Sequence, residues 1–477
     1  MSNLDLAIIL AYIGLLAVLG TAARSKSVSV EEYALAGRNV RWWMAAITIF
    51  TADLSAISLL GSPAWTFQKD LGLAFGLVIF PFAAVAVAMT LIPAIVRRGT
   101  VSVYEYLERR FNRSARRFGA AIFLLLRGGW AATAVYATAL ALAETTSLPR
   151  PAATLLLGAA TTGYVFLGGA RSVVWVGIAQ FAVMLMALTS IAGAVTHVSN
   201  GNLHALWQAA ALGGHTRFAD LSLSPFQEVT IWGVTVYIIV YSVTAFGTDQ
   251  ALAQRYLATP SRPAMLKAML GNAALSLPLG GAMYLLGTLL AGYYALQPAL
   301  SASLTEPSRV LPHFVAHALP SGLRGMVMAG VFGATLASVS AGLNSLATST
   351  IVDFTRGGAE QRRVSLIRLA TVAWGIGVSA AALSLGRLGA ILEIAGKING
   401  YFAGPLAGLF LLGLTCRRAH AWHAILACLL GAATTFSIAY LRVSWLWYGA
   451  VGCTATLSLG WALALLFPGQ RDAADHP

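Results

Sequence analysis

Runs of about 20 mostly apolar residues recur along the whole chain, and that length constrains the fold more than any other feature. A hydrocarbon core of roughly 30 Å takes about 20 residues of helix to cross. Inside it a lipid-facing backbone must satisfy its own hydrogen bonds, which leaves helices as the building unit for such runs. They fall near 4–21, 41–61, 72–96, 118–143, 152–167, 174–196, 229–248, 266–293, 325–351, 366–385, 388–414, 419–441 and 444–467. The pattern predicts an all-α membrane protein with about thirteen transmembrane helices. Composition agrees: 10% of residues are charged, against roughly a quarter in soluble domains.

The formal charge of +14 invites a nucleic-acid partner, but the bases sit in alternate loops. With the N-terminus outside, Arg24, Lys26, Arg38, Arg41, the arginines from Arg97 to Arg117, Arg171, Arg255, Arg262, Lys267, Arg356, Arg362, Arg363, Arg368, Arg417, Arg418 and Arg471 all lie inside. Lys69, Arg150, Arg217, Arg309, Arg324, Arg387 and Arg442 lie outside. Such asymmetry follows from the preference of basic loops for the cytoplasmic side. It predicts an N-out, C-in protein of the cell's inner (plasma) membrane, whose partner is the lipid bilayer and not nucleic acid. The first run follows Asp5 rather than a basic stretch, so it reads as a span and not as a cleaved signal.

Loops are short except 197–228 and 294–324, which leaves no room for a folded soluble domain; residues 1–477 form one polytopic unit. No Walker A, GxSxG, HExxH or calcium-loop pattern occurs, so the chain is read as no enzyme and not driven by its own ATP hydrolysis. Cys416, Cys428 and Cys453 have no metal-ligand spacing. His313 and His317 share a helical face in an outer loop, too little for a zinc site. No obligate protein partner is evident.

Polar groups at mid-span depth are costly, so they mark places buried in protein or lining a cavity. In the second span, Thr51-Ala52-Asp53-Leu54-Ser55-Ala56-Ile57-Ser58 sets a carboxylate among hydroxyls. The ninth carries Gly333-Ala334-Thr335-Leu336-Ala337-Ser338-Val339-Ser340, which suits either tight packing or a cation site built with a broken helix elsewhere. In the eleventh, Gly396, Gly400, Gly404 and Gly408 form one stripe, read as a packing face. Glu393 and Lys397 stand four apart with the acid first, which would neutralise both; unpaired, Lys397 is a candidate solute ligand. Arg127, in the fourth span, has no acid one turn away and cannot shed its proton. It needs an internal carboxylate or that of a solute.

Six ordered segments resemble the sodium/solute symporter family between about Tyr33 and Leu414. They are Glu32-Tyr33-Ala34-Leu35-Ala36-Gly37-Arg38 before Trp42-Trp43, Asp53-Leu54-Ser55, Gly168-Gly169-Ala170-Arg171 before Trp175, Thr248-Asp249-Gln250 through Gln254-Arg255-Tyr256, Gly322-Leu323-Arg324-Gly325 to Leu343-Asn344-Ser345, and Asn399-Gly400 to Leu411-Leu412-Gly413. The resemblance implies a LeuT-type core of two inverted repeats, 40–197 and 228–414. A peripheral first helix and loop (1–39) and two C-terminal helices with a tail (415–477) would flank it.

It further implies a sodium ion as coupling cofactor, held by the carbonyls of Thr51, Leu54 and Ala334 and by hydroxyls at positions 337 and 338. Ser338 keeps its hydroxyl, whereas Ala337 lacks one. Asp53 matches a carboxylate that supports the cation in proline-type members. Gly177 replaces the aspartate that serves a second sodium in other members. Ser55, Ser58 and Phe75 fall where members contact solute, Ile79 stands where some have a polar side chain, and Arg127 takes the place of the arginine that grips a carboxylate in sialic-acid symporters. The expectation is a sodium-coupled symporter importing a small organic solute bearing a carboxylate: a monocarboxylate, an amino acid or a sialic acid. A proton-coupled carrier and a transporter-like sensor are the alternatives.

Overall fold

The computed structural model describes residues 2–22, 29–97, 99–146, 148–304, 306–355, 357–385 and 391–468. Arg24, Lys26, Arg98, Arg356, Arg387 and Arg471 of the charge pattern lie outside them. Regular structure among the described residues is helical, and nine helices are long and apolar enough to cross a membrane. Two further bent pairs qualify when each is taken as one span.

The first pair is α2 (Trp42–Asp53) and α3 (Ala56–Gln68), after the N-terminal helix α1 (Asn3–Ala22). Next come α4 (Gly76–Ile95), α5 (Arg113–Thr145) and α6 (Arg150–Val198). The second bent pair is α7 (Ile231–Gly247) and α8 (Gln250–Leu257). There follow α9 (Arg262–Ala295), α10 (Leu323–Val352), α11 (Glu360–Ser384), α12 (Ile391–Thr415), α13 (Ala421–Tyr440) and α14 (Tyr448–Leu466).

One difference from the sequence reading is α6. The expected loop at Gly168-Gly169-Ala170-Arg171 is helical, and the runs 152–167 and 174–196 join in one 49-residue helix. Straight, it would reach about 73 Å at 1.5 Å per residue, more than twice a hydrocarbon core. Within it, Ala170–Val198 meets the length and hydropathy of a span by itself. Glycine weakens a helix by only about 1 kcal/mol, so a Gly-Gly pair does not force a break. The seventh span also differs: it does not end at Thr248 but turns by 58° and continues as α8.

Helix α10 is the centre of the bundle, with 94% of its apolar window buried. Its small residues allow this. Gly330 lies against Ala187 of α6, Gly333 against Tyr12 of α1 and Gln180 of α6, and Gly342 against Arg127 of α5. On α12 the glycine stripe is a packing face as read: Gly396 and Gly400 meet Trp445 and Tyr448, Gly404 meets the backbone of Gly449, and Gly408 meets Cys453 and Thr456. With no hydrophobic drive between helices in lipid, such close approach supplies the association energy through dispersion. The central bundle and these flanking helices leave a cavity at the bend of the first broken helix, walled by the middle of the second.

Candidate functional site

Between α2 and α3 the chain leaves the helix for two residues. Leu54 (φ −81°, ψ 106°) is extended, and Ser55 caps α3 by accepting the Ile57 N–H on its hydroxyl at 3.1 Å. The helix axis turns by 54°. A break of this kind strands the last carbonyls of α2 without intrahelical donors and exposes the positive end of α3. The second break, at Thr248-Asp249, is capped alike: Asp249 accepts the Ala251 N–H at 2.7 Å.

Arg127 joins the two breaks. One guanidinium nitrogen lies 3.3 Å from the Asp249 carboxylate, and the other donates to the Ala52 carbonyl at 3.1 Å. Its Nε has no hydrogen-bond partner among the described residues, and the residue is buried. The acid that Arg127 needs is thus supplied 122 residues away, not by a neighbouring turn.

Directly above is a cavity of about 200 Å³. Asp53, Leu54, Ile57, Ser58 and Ser62 line it from the broken helix, Gly76, Leu77 and Phe80 from α4, and Trp130 from α5. Tyr237 and Tyr241 on α7, Tyr284 on α9, Leu392 and Gly396 on α12, and Trp445 complete the wall. The Tyr241 hydroxyl donates to the Asp53 carboxylate. A second chamber of about 20 Å³ shares Asp53, Trp130 and Tyr241 with the first and reaches Arg127, Asp249 and Asn399. That is room for about one water. Asp53 is the only charged residue among the described residues lining the large cavity. A second carboxylate placed about 4 Å from it would be repelled by about 4 kcal/mol at an effective dielectric of 20.

The candidates from the sequence divide into three places. Ser58, Asp53 and the Leu54 side chain face the cavity. Thr51, Ala334, Ala337 and Ser338 do not line it. On α2, residues 51 and 53 are about 200° apart around the axis, so Thr51 turns to Gly177 of α6 while Asp53 turns to Tyr241 of α7. The Asp53 side chain therefore does not share a face of α2 with the Thr51 side chain, although Leu54 lines the cavity beside it. Ser55 is fully buried and occupied as a helix cap.

Besides Ser55, three expected solute ligands stand off the large cavity. Arg127 reaches only the small chamber. Phe75 packs edge-on to Phe218 at 5.9 Å, because the lining face of α4 is Gly76, Leu77 and Phe80; Ile79 is off it too. Lys397 is paired with Glu393 at 2.7 Å, the self-neutralised alternative, while Gly396 beside it lines the wall. Asp249, Tyr237, Tyr241, Trp130 and Trp445 were not singled out as ligands. Only Asp249 left a trace in the sequence, as a carboxylate at the end of an apolar run.

For a cation, the donor set around α10 is incomplete but open. The Ser338 hydroxyl is buried with no hydrogen-bond partner among the described residues, which is what a hydroxyl reserved for a hard cation looks like. Both polar atoms of Gln180 are likewise unpartnered, and its side chain packs against Gly333, next to Ala334. At Gly177 an added Cβ would lie 3.2 Å from the Thr48 methyl and 3.4 Å from the Thr51 hydroxyl, so a side chain there would fit only tightly against α2. Ser338 and the free carbonyls of α2 fit one sodium ion by donor chemistry.

Two broken helices, a buried arginine between them and a cavity lined by both define a membrane transporter of the LeuT-type fold. A solved structure of a sodium-coupled sialic acid symporter, substrate-bound and outward-open, superposes with a TM-score of 0.90 at 23% identity, covering 98% of this chain and 99% of that one. The nucleobase-cation-symport-1 family transporter Mhp1 in a closed conformation matches at a TM-score of 0.58 and 15% identity, covering 93% and 96%. In sequence, the chain is 27% identical to a sodium/sialic acid symporter of Aliivibrio fischeri over 96% of its own length and 92% of the relative's. It is 28% identical to sodium-coupled monocarboxylate transporter 1 of Mus musculus over 84% of this chain and 67% of that one. The model of the sodium:solute symporter family matches residues 33–431; the chain belongs to the sodium:solute symporter family.

Proposed function

We propose that this protein imports a small carboxylate-bearing organic solute into the cell across the inner membrane, driven by sodium through alternating access. The observation that carries the reading is a cavity lined by both broken helices and by the Asp53 carboxylate at one break, together with a buried Ser338 hydroxyl on α10 that has no hydrogen-bond partner among the described residues. Its relatives named for sialic acid and monocarboxylates support a carboxylate-bearing solute.

The lining runs from Asp53 toward Leu73, Val234, Leu392 and Trp445, at helix ends that the charge pattern puts outside. Solute enters there and rests over Asp53 and Ser58. Sodium sits behind the break on the carbonyls of Thr51, Leu54 and Ala334 and the hydroxyl of Ser338. It fixes the bend that shapes the solute cavity, so each ligand raises the population competent for the other. Arg127 works in this state as a strut between the breaks, and solute reaches it only if its pair with Asp249 opens.

Uptake by the reconstituted full chain tests this. Accumulation under an inward sodium gradient supports the reading. Accumulation that ignores sodium and collapses with a proton uncoupler favours proton coupling at Asp53, which the missing hydroxyl at Ala337 would then explain. Binding without flux indicates a sensor.

A further inference from the structure

We infer that the solute carries a protonated amine as well as its carboxylate, and that Asp53 is the ammonium's counter-ion. The inference rests on the symport reading above and narrows its solute.

A plain carboxylate entering the large cavity meets no cation among the described residues of its wall. Arg127 is spent on Asp249 and Ala52 in the chamber below, and Lys397 is spent on Glu393. What it meets is another carboxylate. An ammonium inverts that encounter: it finds a negative charge at the cavity floor and aromatic faces around it. Phe80 and Tyr241 stand 6.4 Å apart, Tyr237 stacks on Tyr241 at 6.0 Å, and Trp445 meets Tyr237 at 5.3 Å. Rings of this kind attract a desolvated cation, and the floor carboxylate keeps one acceptor oxygen beyond the Tyr241 bond. The solute's own carboxylate then lies toward the first turn of α3, where Ile57 and Ser58 line the same cavity and the helix end is positive. Ser55 already accepts the Ile57 and Ser58 N–H groups, so the Ser58 hydroxyl and the positive helix end are what that carboxylate meets, and a zwitterion needs no basic residue in the wall.

Two pools decide the matter in sealed vesicles of the full chain under an inward sodium gradient. One holds primary α-amino acids such as alanine, serine, leucine and phenylalanine; the other holds the corresponding 2-hydroxy acids, the same skeletons with a hydroxyl in place of the amine. The expected result is accumulation of amine-bearing members at least roughly tenfold faster than their hydroxy counterparts. Asp53→Asn, which removes charge at constant shape, should erase that ratio, while Tyr241→Phe keeps the carboxylate and should keep it. If Asp53→Asn does not fold, the ratio in the native protein still decides. Sodium-driven accumulation of hydroxy acids as fast as amino acids overturns the inference and leaves symport standing, as does an undiminished ratio in a folded Asp53→Asn. Accumulation of neither pool while sialic acid or a simple monocarboxylate accumulates under the same gradient overturns the inference and leaves symport standing; accumulation of none of these under any ionic gradient overturns symport and this inference with it.

Discussion

Arg127 and Asp249 hold the two broken helices of this transporter together. The carboxylate caps α8 with one oxygen and meets the guanidinium at 3.3 Å with the other, while the same guanidinium reaches the Ala52 carbonyl at the end of α2. One side chain of α5 therefore fixes the relative position of both bends. A buried pair of this kind adds little stability over an apolar substitute, but leaving one partner alone costs about 3–5 kcal/mol.

Asp249→Asn and Arg127→Gln should each lower the thermal midpoint in detergent and cripple uptake. The double variant should be less destabilised than the sum of the two, since it strands no charge. Strict additivity in unfolding measurements would show that the pair is not coupled.

Ser338→Ala removes the unpartnered hydroxyl from the proposed cation shell. Half-saturating sodium should rise by about tenfold, the equivalent of about 1.4 kcal/mol, with solute preference unchanged. Ala337→Ser should shift it the other way. Sodium titrations of uptake check both, and an unchanged half-saturation in Ser338→Ala would count against this site.

Gly404 on α12 faces the backbone of Gly449 on α14. Any larger side chain must part the two helices, so Gly404→Leu should cost about 1–3 kcal/mol of stability. Thermal unfolding read against Gly377→Leu, where nothing stands within 4 Å of an added Cβ, separates packing from general helix effects. Equal midpoints would refute the packing account.

His313 lies on the helix Val310–Ala318, in the segment between α9 and α10. It is buried, 2.6 Å from the Tyr294 hydroxyl and 3.0 Å from that of Ser303, and stacked on His317 at 4.2 Å. Burial, aided by His317 and opposed by Glu144, holds its pKa below the usual 6.5. The unfolded chain then takes up a proton before the folded one does, so stability is full above about pH 6.5 and lost as pH falls below it. The midpoint should drop between about pH 7 and pH 5, and His313→Gln should flatten that slope. An identical slope in the variant would remove His313 as its source.

Much of this was legible from residue chemistry. A carboxylate among hydroxyls in an apolar run marked the cavity wall at Asp53 and Ser58, the glycine stripe marked a packing face, and the four-residue spacing of Glu393 and Lys397 marked a self-contained pair. Facing was harder to read. Thr51 and Asp53 are two residues apart and look like one site, yet helical geometry turns them to opposite sides. The partner of Arg127 lies far along the chain in a segment that reads as ordinary helix, so only the fold reveals it. The gap between the runs 152–167 and 174–196, with Arg171 in it, suggested a loop, yet one long helix carries through it.

Radioactive sodium influx into sealed vesicles, with and without solute outside, tests the coupling most directly. The structure predicts that an accepted solute accelerates sodium entry and that sodium accelerates solute entry in turn. Solute entering uphill while sodium influx stays at its resting rate would contradict a cation seated at the broken helices.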